Sequence, residues 1–256
     1  LPPTLDPLCP LYTTRRRAVV LPVATALVAA ACSRGSDDSG SNSVLQGTWF
    51  GTQEQSDGTL VALSVDVSGS NNINGIVADG VNSGLTGSIS PIQGRPGFYQ
   101  INLSDGTEGG FFADPTSQYV VFLDEDLSVG VLQKGANSLP NAQADDLNGR
   151  SYEGLTVELT GSLDIESVVQ SQVSVAGDSN FAGDDVGGGT FTSTSPLTLT
   201  SAMFGVWDAT FDSTGPSGPA SGSVRVFASP DKSFIGTWAC AGSIPGDCSI
   251  SVWRAK

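Results

Sequence analysis

From Leu45 onward the chain breaks into short runs in which apolar or β-branched residues alternate with polar ones, separated by Asp-Gly, Asn-Gly, Ser-Gly and Pro-Gly pairs. Runs with a period of two, bounded by such turn formers, predict β-strands. The first series is expected near residues 47–54, 59–67, 73–79, 84–90, 97–103, 109–113, 118–123 and 127–133. Residues 136–146, rich in Asn, Pro, Gln, Ala and Asp, show little periodicity and read as a linker. A second series is expected near 151–159, 163–169, 171–176, 189–193, 196–200, 205–211, 221–228, 232–239 and 247–253.

The two series repeat one another. Phe112-Ala113-Asp114-Pro115 through Tyr119-Val120 aligns without a gap on Phe227-Ala228-Ser229-Pro230 through Phe234-Ile235. Gly97 to Leu103 parallels Gly205 to Phe211, and Leu45-Gln46-Gly47 parallels Leu147-Asn148-Gly149. The offset drifts from 102 to 108 to 115, as insertions in surface loops of the second copy would cause. In the shared Phe-Ala-x-Pro segment, Asp or Ser before Pro starts a turn, and the flanking aromatics are expected to pack in the core. The expected fold is therefore all-β: two tandem duplicated antiparallel domains, 45–135 and 147–256, each of about eight strands in a small β-barrel or β-sandwich. A single transmembrane barrel is disfavoured, because it needs strands of about 9–11 residues and aromatic girdles. The chain has four Tyr and four Trp to furnish them.

Gly47-Thr48-Trp49-Phe50 resembles the opening strand of lipocalin-like and avidin-like barrels, in which an early Gly-x-Trp plugs the floor. The resemblance covers four residues and implies a structural role for Trp49. In the second copy the aromatic reads as displaced, in Gly149-Arg150-Ser151-Tyr152. The tryptophans with which avidin-like proteins hold biotin are missing, so no binding residue is transferred.

Upstream, Arg15-Arg16-Arg17 leads into a short apolar stretch that ends in Ala29-Ala30-Ala31-Cys32. A basic start, an apolar stretch too short to span a bilayer and small residues before a cysteine make an export signal. The segment resembles the lipobox of bacterial lipoproteins, although Ala29 stands where Leu is commonest. That resemblance implies cleavage before Cys32 and lipidation of Cys32. A twin-arginine signal is poorly served by Ala18-Val19-Val20, so general secretion is expected. Residues 1–31 form the signal region, and 1–14, which lack an initiator Met, read as an over-extended start. Residues 32–44 form a lipidated flexible tether, since the polar run 33–43 has no apolar face to bury. In a Gram-negative host, Ser33 after a lipidated Cys32 favours sorting to the outer membrane.

Of 11 basic and 26 acidic residues, cleavage would leave 8 and 25, a net charge of −17. Such a surface has no basic patch to displace counterions from phosphate, so no nucleic-acid partner is expected. With Cys9 discarded and Cys32 lipidated, Cys240 and Cys248 remain, flanking a turn-rich segment. A disulfide between them is expected to stabilise by about 2.5 kcal/mol, and two thiols alone make a poor zinc site.

The chain contains no histidine, which excludes Ser-His-Asp and Cys-His catalysis and histidine-ligated metals. No Gly-x-Ser-x-Gly elbow or phosphate-binding glycine motif occurs. Two acidic clusters, Asp124-Glu125-Asp126 and Asp178-Ser179-Asn180 with Asp184-Asp185, offer oxygen ligands but lack calcium-loop spacing, and solvated turns are expected there. No catalytic, cofactor or metal residue is assigned. These features point to an exported, lipid-anchored cell-envelope protein that acts as a noncatalytic binding or scaffold module, with an envelope protein or a glycan as partner. Two alternatives stand: a histidine-free, carboxylate-dependent glycan hydrolase, and a structural accessory subunit of an envelope complex.

Overall fold

The computed structural model describes residues 43–124, 128–159, 165–215, 218–241 and 248–256. Cys32, the signal region and nearly all of the tether lie outside them, as do Glu125 and Asp126. Every regular element among the described residues is a strand. In the first copy these are β1 (Gly47–Glu54), β2 (Leu60–Val67), β3 (Asn72–Ala78), β4 (Val81–Asn82), β5 (Gly87–Pro91), β6 (Phe98–Leu103), β7 (Glu108–Ala113), β8 (Tyr119–Asp124) and β9 (Val129–Lys134). The second copy has β10 (Ser151–Leu159), β11 (Ile165–Val175), β12 (Phe181–Asp185), β13 (Thr190–Ser193), β14 (Thr198–Ser201), β15 (Val206–Gly215), β16 (Gly218–Ala228), β17 (Phe234–Ala241) and β18 (Cys248–Ala255).

Each copy closes into an antiparallel barrel of eight strands. Barrel 1 runs β2-β1-β9-β8-β7-β6-β5-β3 and closes by pairing β2 with β3, with β4 appended to β3. Barrel 2 runs β13-β12-β11-β10-β18-β17-β16-β15 and closes by pairing β13 with β15, with β14 appended to β15. The barrel is thus the form taken, rather than the sandwich, and closure pairs both edges of each eight-stranded sheet, leaving only the short β4 and β14 as edges.

The strand series differs from expectation at three places, the first being the short β4 at Val81–Asn82, between the expected strands 73–79 and 84–90. The predicted strands 163–169 and 171–176 are one strand, β11, because the inward phase Val169, Ser171, Val173, Val175 continues unbroken through Gln170. The Gly-rich acidic segment expected as a turn contains β12, whose inward Phe181 and Gly183 pair with Val175 and Val173.

The hairpins carrying the Phe-Ala-x-Pro repeat are built alike. Asp114 N donates to Tyr119 O and Ser229 N to Phe234 O, while Ser117 and Lys232 take the same left-handed turn position, at φ 51° and 60°. Gly51 and Gly154 are matched by register, since an added Cβ would stand 2.0 Å from Val131 O and 1.9 Å from Val252 O. This match puts Tyr152 in register with Trp49, opposite Ala255 and Lys134 respectively. The aromatic of the second copy is therefore not displaced; one extra residue between Leu147 and the strand only makes it look so in the sequence.

A third core lies between the barrels. It combines outward-facing Phe98, Tyr119, Val121, Val129 and Val131 of barrel 1 with Val157, Leu159, Val206, Phe227, Phe234, Ile250 and Val252 of barrel 2. Equivalent residues meet across it. Tyr119 stacks on its counterpart Phe234 at 4.9 Å and 6°, and an added Cβ on Gly236 would lie 2.8 Å from a methyl of its counterpart Val121 and 2.6 Å from one of Val131. Residues that touch their own equivalents mark an approximate two-fold axis, as in an isologous dimer interface. The Phe and Tyr residues of the repeated segment thus pack between barrels instead of inside them. Each buried side chain of this size stabilises by about 1.5–3 kcal/mol, so even half of this burial outweighs the few polar links across the seam at about 1 kcal/mol each.

Gly236→Ala is expected to destabilise the protein by about 1–3 kcal/mol through overpacking. Adding Val131→Ala should recover part of that loss, giving a coupling energy above ~0.5 kcal/mol in a double-mutant cycle read by urea denaturation.

Candidate functional site

The polar edge of the seam is organised by Asp231. Its carboxylate accepts hydrogen bonds from Tyr119 OH at 2.6 Å, Ser229 Oγ at 2.7 Å, Ser233 Oγ at 2.8 Å, Ser233 N at 3.0 Å and Gln133 Nε2 at 3.2 Å. Partial burial opposes the charge, but the bonds from Tyr119, Ser229 and Ser233 outweigh it and hold the group below the ordinary carboxyl range. Burial, then the bond to Asp231, pushes the Tyr119 phenol up. At the other edge, the Arg225 guanidinium makes a bidentate pair with Asp208 at 2.6 and 2.8 Å and an ion pair with Glu54 of barrel 1. Thr52, fully buried, donates to Phe204 O of the second copy at 2.9 Å.

Each barrel interior holds a cavity above a closed floor. In barrel 1 the floor is Leu45 and Trp49, the indole N–H donating to Leu45 O at 2.9 Å and Lys134 Nζ lying 5.6 Å from the ring centroid. Above it, a cavity of about 300 Å³ is walled by Leu63, Val65, Ile73, Ile89, Ile101, Phe111, Val120 and Leu132. Polar residues gather at its mouth, among them Gln53, Ser83, Asp105, Thr107, Glu108 and Asp124. Asp105 accepts from Thr107 N at 3.0 Å, which keeps its carboxyl below the usual range.

Barrel 2 encloses a larger and more polar space of about 580 Å³. Its floor is the buried cluster around Leu147, Tyr152, Val173, Trp207 and Trp253. Burial pushes the Tyr152 phenol up to about 12. Higher in the barrel, Trp253 Nε1 donates to Ser171 Oγ at 2.7 Å, and Thr156 Oγ1 lies 2.9 Å from both Ser171 Oγ and Ser251 Oγ. Phe191 stacks on Trp253 at 6.0 Å, and Glu158, Glu166 and Asp185 line the opening.

Cys240 and Cys248 are joined by a disulfide across β17 and β18, with Cα atoms 4.1 Å apart, and Cys248 lines the barrel 2 cavity. The acidic segment of the second copy does not converge. Asp178 bonds Asn180, Asp184 bonds Gln172 on the outer wall, and Asp185 accepts from Gly189 N at 2.9 Å on the inner side. Of the first acidic cluster only Asp124 is described, at the barrel 1 mouth. Among the described residues, no group of three or more His, Cys, Asp or Glu is placed to hold a metal ion. The interior hydroxyls of Thr156, Ser171, Thr237 and Ser251 were not singled out from the sequence, where Ser and Thr on alternating strands look the same on either face of a barrel.

Neither a protein-family model nor a curated protein matches the sequence. Among solved structures the chain is similar to the vaccine antigen transferrin-binding protein B of Haemophilus parasuis, at 11% identity and a TM-score of 0.36, over 77% of this chain and 60% of that one. It thus spans about 60% of that chain's length. A DUF3598-family protein of unknown function from Nostoc punctiforme matches at 10% identity and a TM-score of 0.34, covering 82% of this chain and 96% of that one. A putative outer membrane protein of Bacteroides fragilis matches at 10% identity and a TM-score of 0.24, covering 83% and 98%. No residue of either interior is transferred from these likenesses.

Because its carboxyl is depressed in the folded state, Asp231 contributes stability that is complete above the ordinary carboxyl pKa of 3.8 and is lost as pH falls through the lower folded value. Asp231→Asn is expected to lose stability at pH 7 and to show a smaller further loss on acidification to pH 3 than the parent, read by urea denaturation at both pH values.

Proposed function

We propose that the chain is a noncatalytic binding module of the bacterial cell envelope, tethered through lipidated Cys32 to the outer membrane, which carries an apolar small molecule in barrel 1. The observation that carries this reading is the unfilled, hydrocarbon-lined interior of barrel 1 above Trp49. Small barrels are ordinarily filled by their own side chains, and at about 300 Å³ this space falls within the ~300–1,000 Å³ of small-molecule sites. Cargo there would gain the usual hydrophobic free energy of apolar burial. Acidic Asp105, Glu108 and Asp124 at the mouth disfavour a carboxylate head group and suit a neutral or cationic one. Sequestration also fits a chain without histidine, since the wall of barrel 1 presents hydrocarbon rather than an activated nucleophile.

The neutral dye N-phenyl-1-naphthylamine should bind the purified full chain with a rise in dye emission and quenching of Trp49. Ala78→Phe, which projects a ring into the cavity, should reduce that binding at least about tenfold with little change in melting temperature. Dye binding absent from the parent, or unchanged in Ala78→Phe, would count against the reading. In a bacterial host, Cys32→Ser should move the protein from the membrane pellet to the soluble fraction.

A further inference from the structure

Thr237 is 1% exposed, lines the barrel 2 cavity, and its hydroxyl has no hydrogen-bond partner. It does not stand alone. Thr237 pairs across the sheet with Ser251, Ser251 with Thr156, and Ser171 lies on the next strand within 2.9 Å of Thr156. Four neighbouring strands, β11, β10, β18 and β17, thus place a belt of hydroxyls at one level inside the barrel.

The belt has more donors than it uses. Trp253 N–H and the hydroxyls of Ser171, Thr156 and Ser251 supply four hydrogens, and the three links between them consume three. Whichever way the hydroxyls rotate, one hydrogen is not used within the belt, and the unpartnered Thr237 hydroxyl adds another. A buried donor without an acceptor is costly, so a cavity that presents the unpartnered Thr237 hydroxyl beside this belt is suited to a ligand carrying acceptor oxygens at that depth. The same cavity is lined by the aromatic Phe191 and Phe211 and by the carboxylates Glu158 and Asp185, with no Lys or Arg in its lining.

From this arrangement we infer that barrel 2 binds an uncharged saccharide. The alternatives each leave part of the site unmatched. A hydrocarbon satisfies neither the hydroxyls nor the carboxylates, and an ammonium has no acceptor for the unspent hydroxyl protons. An anion accepts from the hydroxyls but meets carboxylates without a cation nearby. A sugar ring accepts from Thr237 and the belt, donates to Glu158 and Asp185, and lays its C–H face on the aromatics. The cavity, about 580 Å³, has room for such a ring. The inference rests on barrel 2 alone and is independent of the cargo proposed for barrel 1.

The test is calorimetric titration of the full chain with glucose, N-acetylglucosamine, and the α1,4- and β1,4-linked disaccharides of each. At least one is expected to bind, with affinity falling about tenfold or more in Thr237→Val and in Ser251→Ala. Thr237→Val is close in shape and removes an unpaired polar group, so its melting temperature should hold or rise while binding falls. Failure of every saccharide to bind, or binding unaltered in both variants, would overturn the inference. Dye uptake by barrel 1 in the same preparations reports the other cavity separately.

Discussion

The structure depends on the seam where strands β8 and β9 of one barrel pack against β10, β15, β16, β17 and β18 of the other. A small barrel normally gains its stability by filling its interior. Here the outer faces of the facing strands supply a third core, with Val131, Val206 and Phe227 fully buried in it. Because Tyr119 meets Phe234 and Val121 meets Gly236, each copy presents the same surface to the other, and the chain resembles a two-fold dimer whose halves are covalently linked. Gly236 is what permits the close approach, since a side chain there would meet two valines.

That arrangement frees the interiors. With a substantial apolar core between the barrels, neither interior has to be filled to hold the fold, and both keep space above an aromatic floor. The copies have then diverged in what they line that space with. Barrel 1 carries Leu, Ile, Val and Phe up to the mouth, whereas barrel 2 has a band of Thr156, Thr237 and Ser251 there, with Ser171 bonded behind Thr156. The seam has diverged as well, with Tyr119 facing Phe234 and Val121 facing Gly236. The hairpin turns, the floor leucines Leu45 and Leu147, and the close-approach glycines Gly51 and Gly154 remain equivalent.

Much of the fold was legible in the sequence because alternation and turn residues report directly on strands. The repeat at Phe112 and Phe227 located equivalent hairpins, and the spacing of Cys240 and Cys248 across a turn matched neighbouring strands. Strand β12 was hidden because Gly183, Asp184 and Asp185 look like a loop, and only pairing with β11 fixes their phase. The seam left a signal that alternation does not capture: Tyr119-Val120-Val121-Phe122-Leu123 is apolar at consecutive positions, which marks a strand buried on both faces. The cavities were not legible, since a period-two pattern says which residues point inward but not whether they fill the space they face.

Native-state hydrogen exchange, followed strand by strand, tests the central claim that the seam makes the two barrels one cooperative unit. The account predicts that the slowest amides lie in the seam strands β8, β9, β10, β15, β16, β17 and β18 and exchange with the same opening free energy in both copies. Two separate opening free energies, one for each barrel, with the seam strands no better protected than the outer walls, would contradict it.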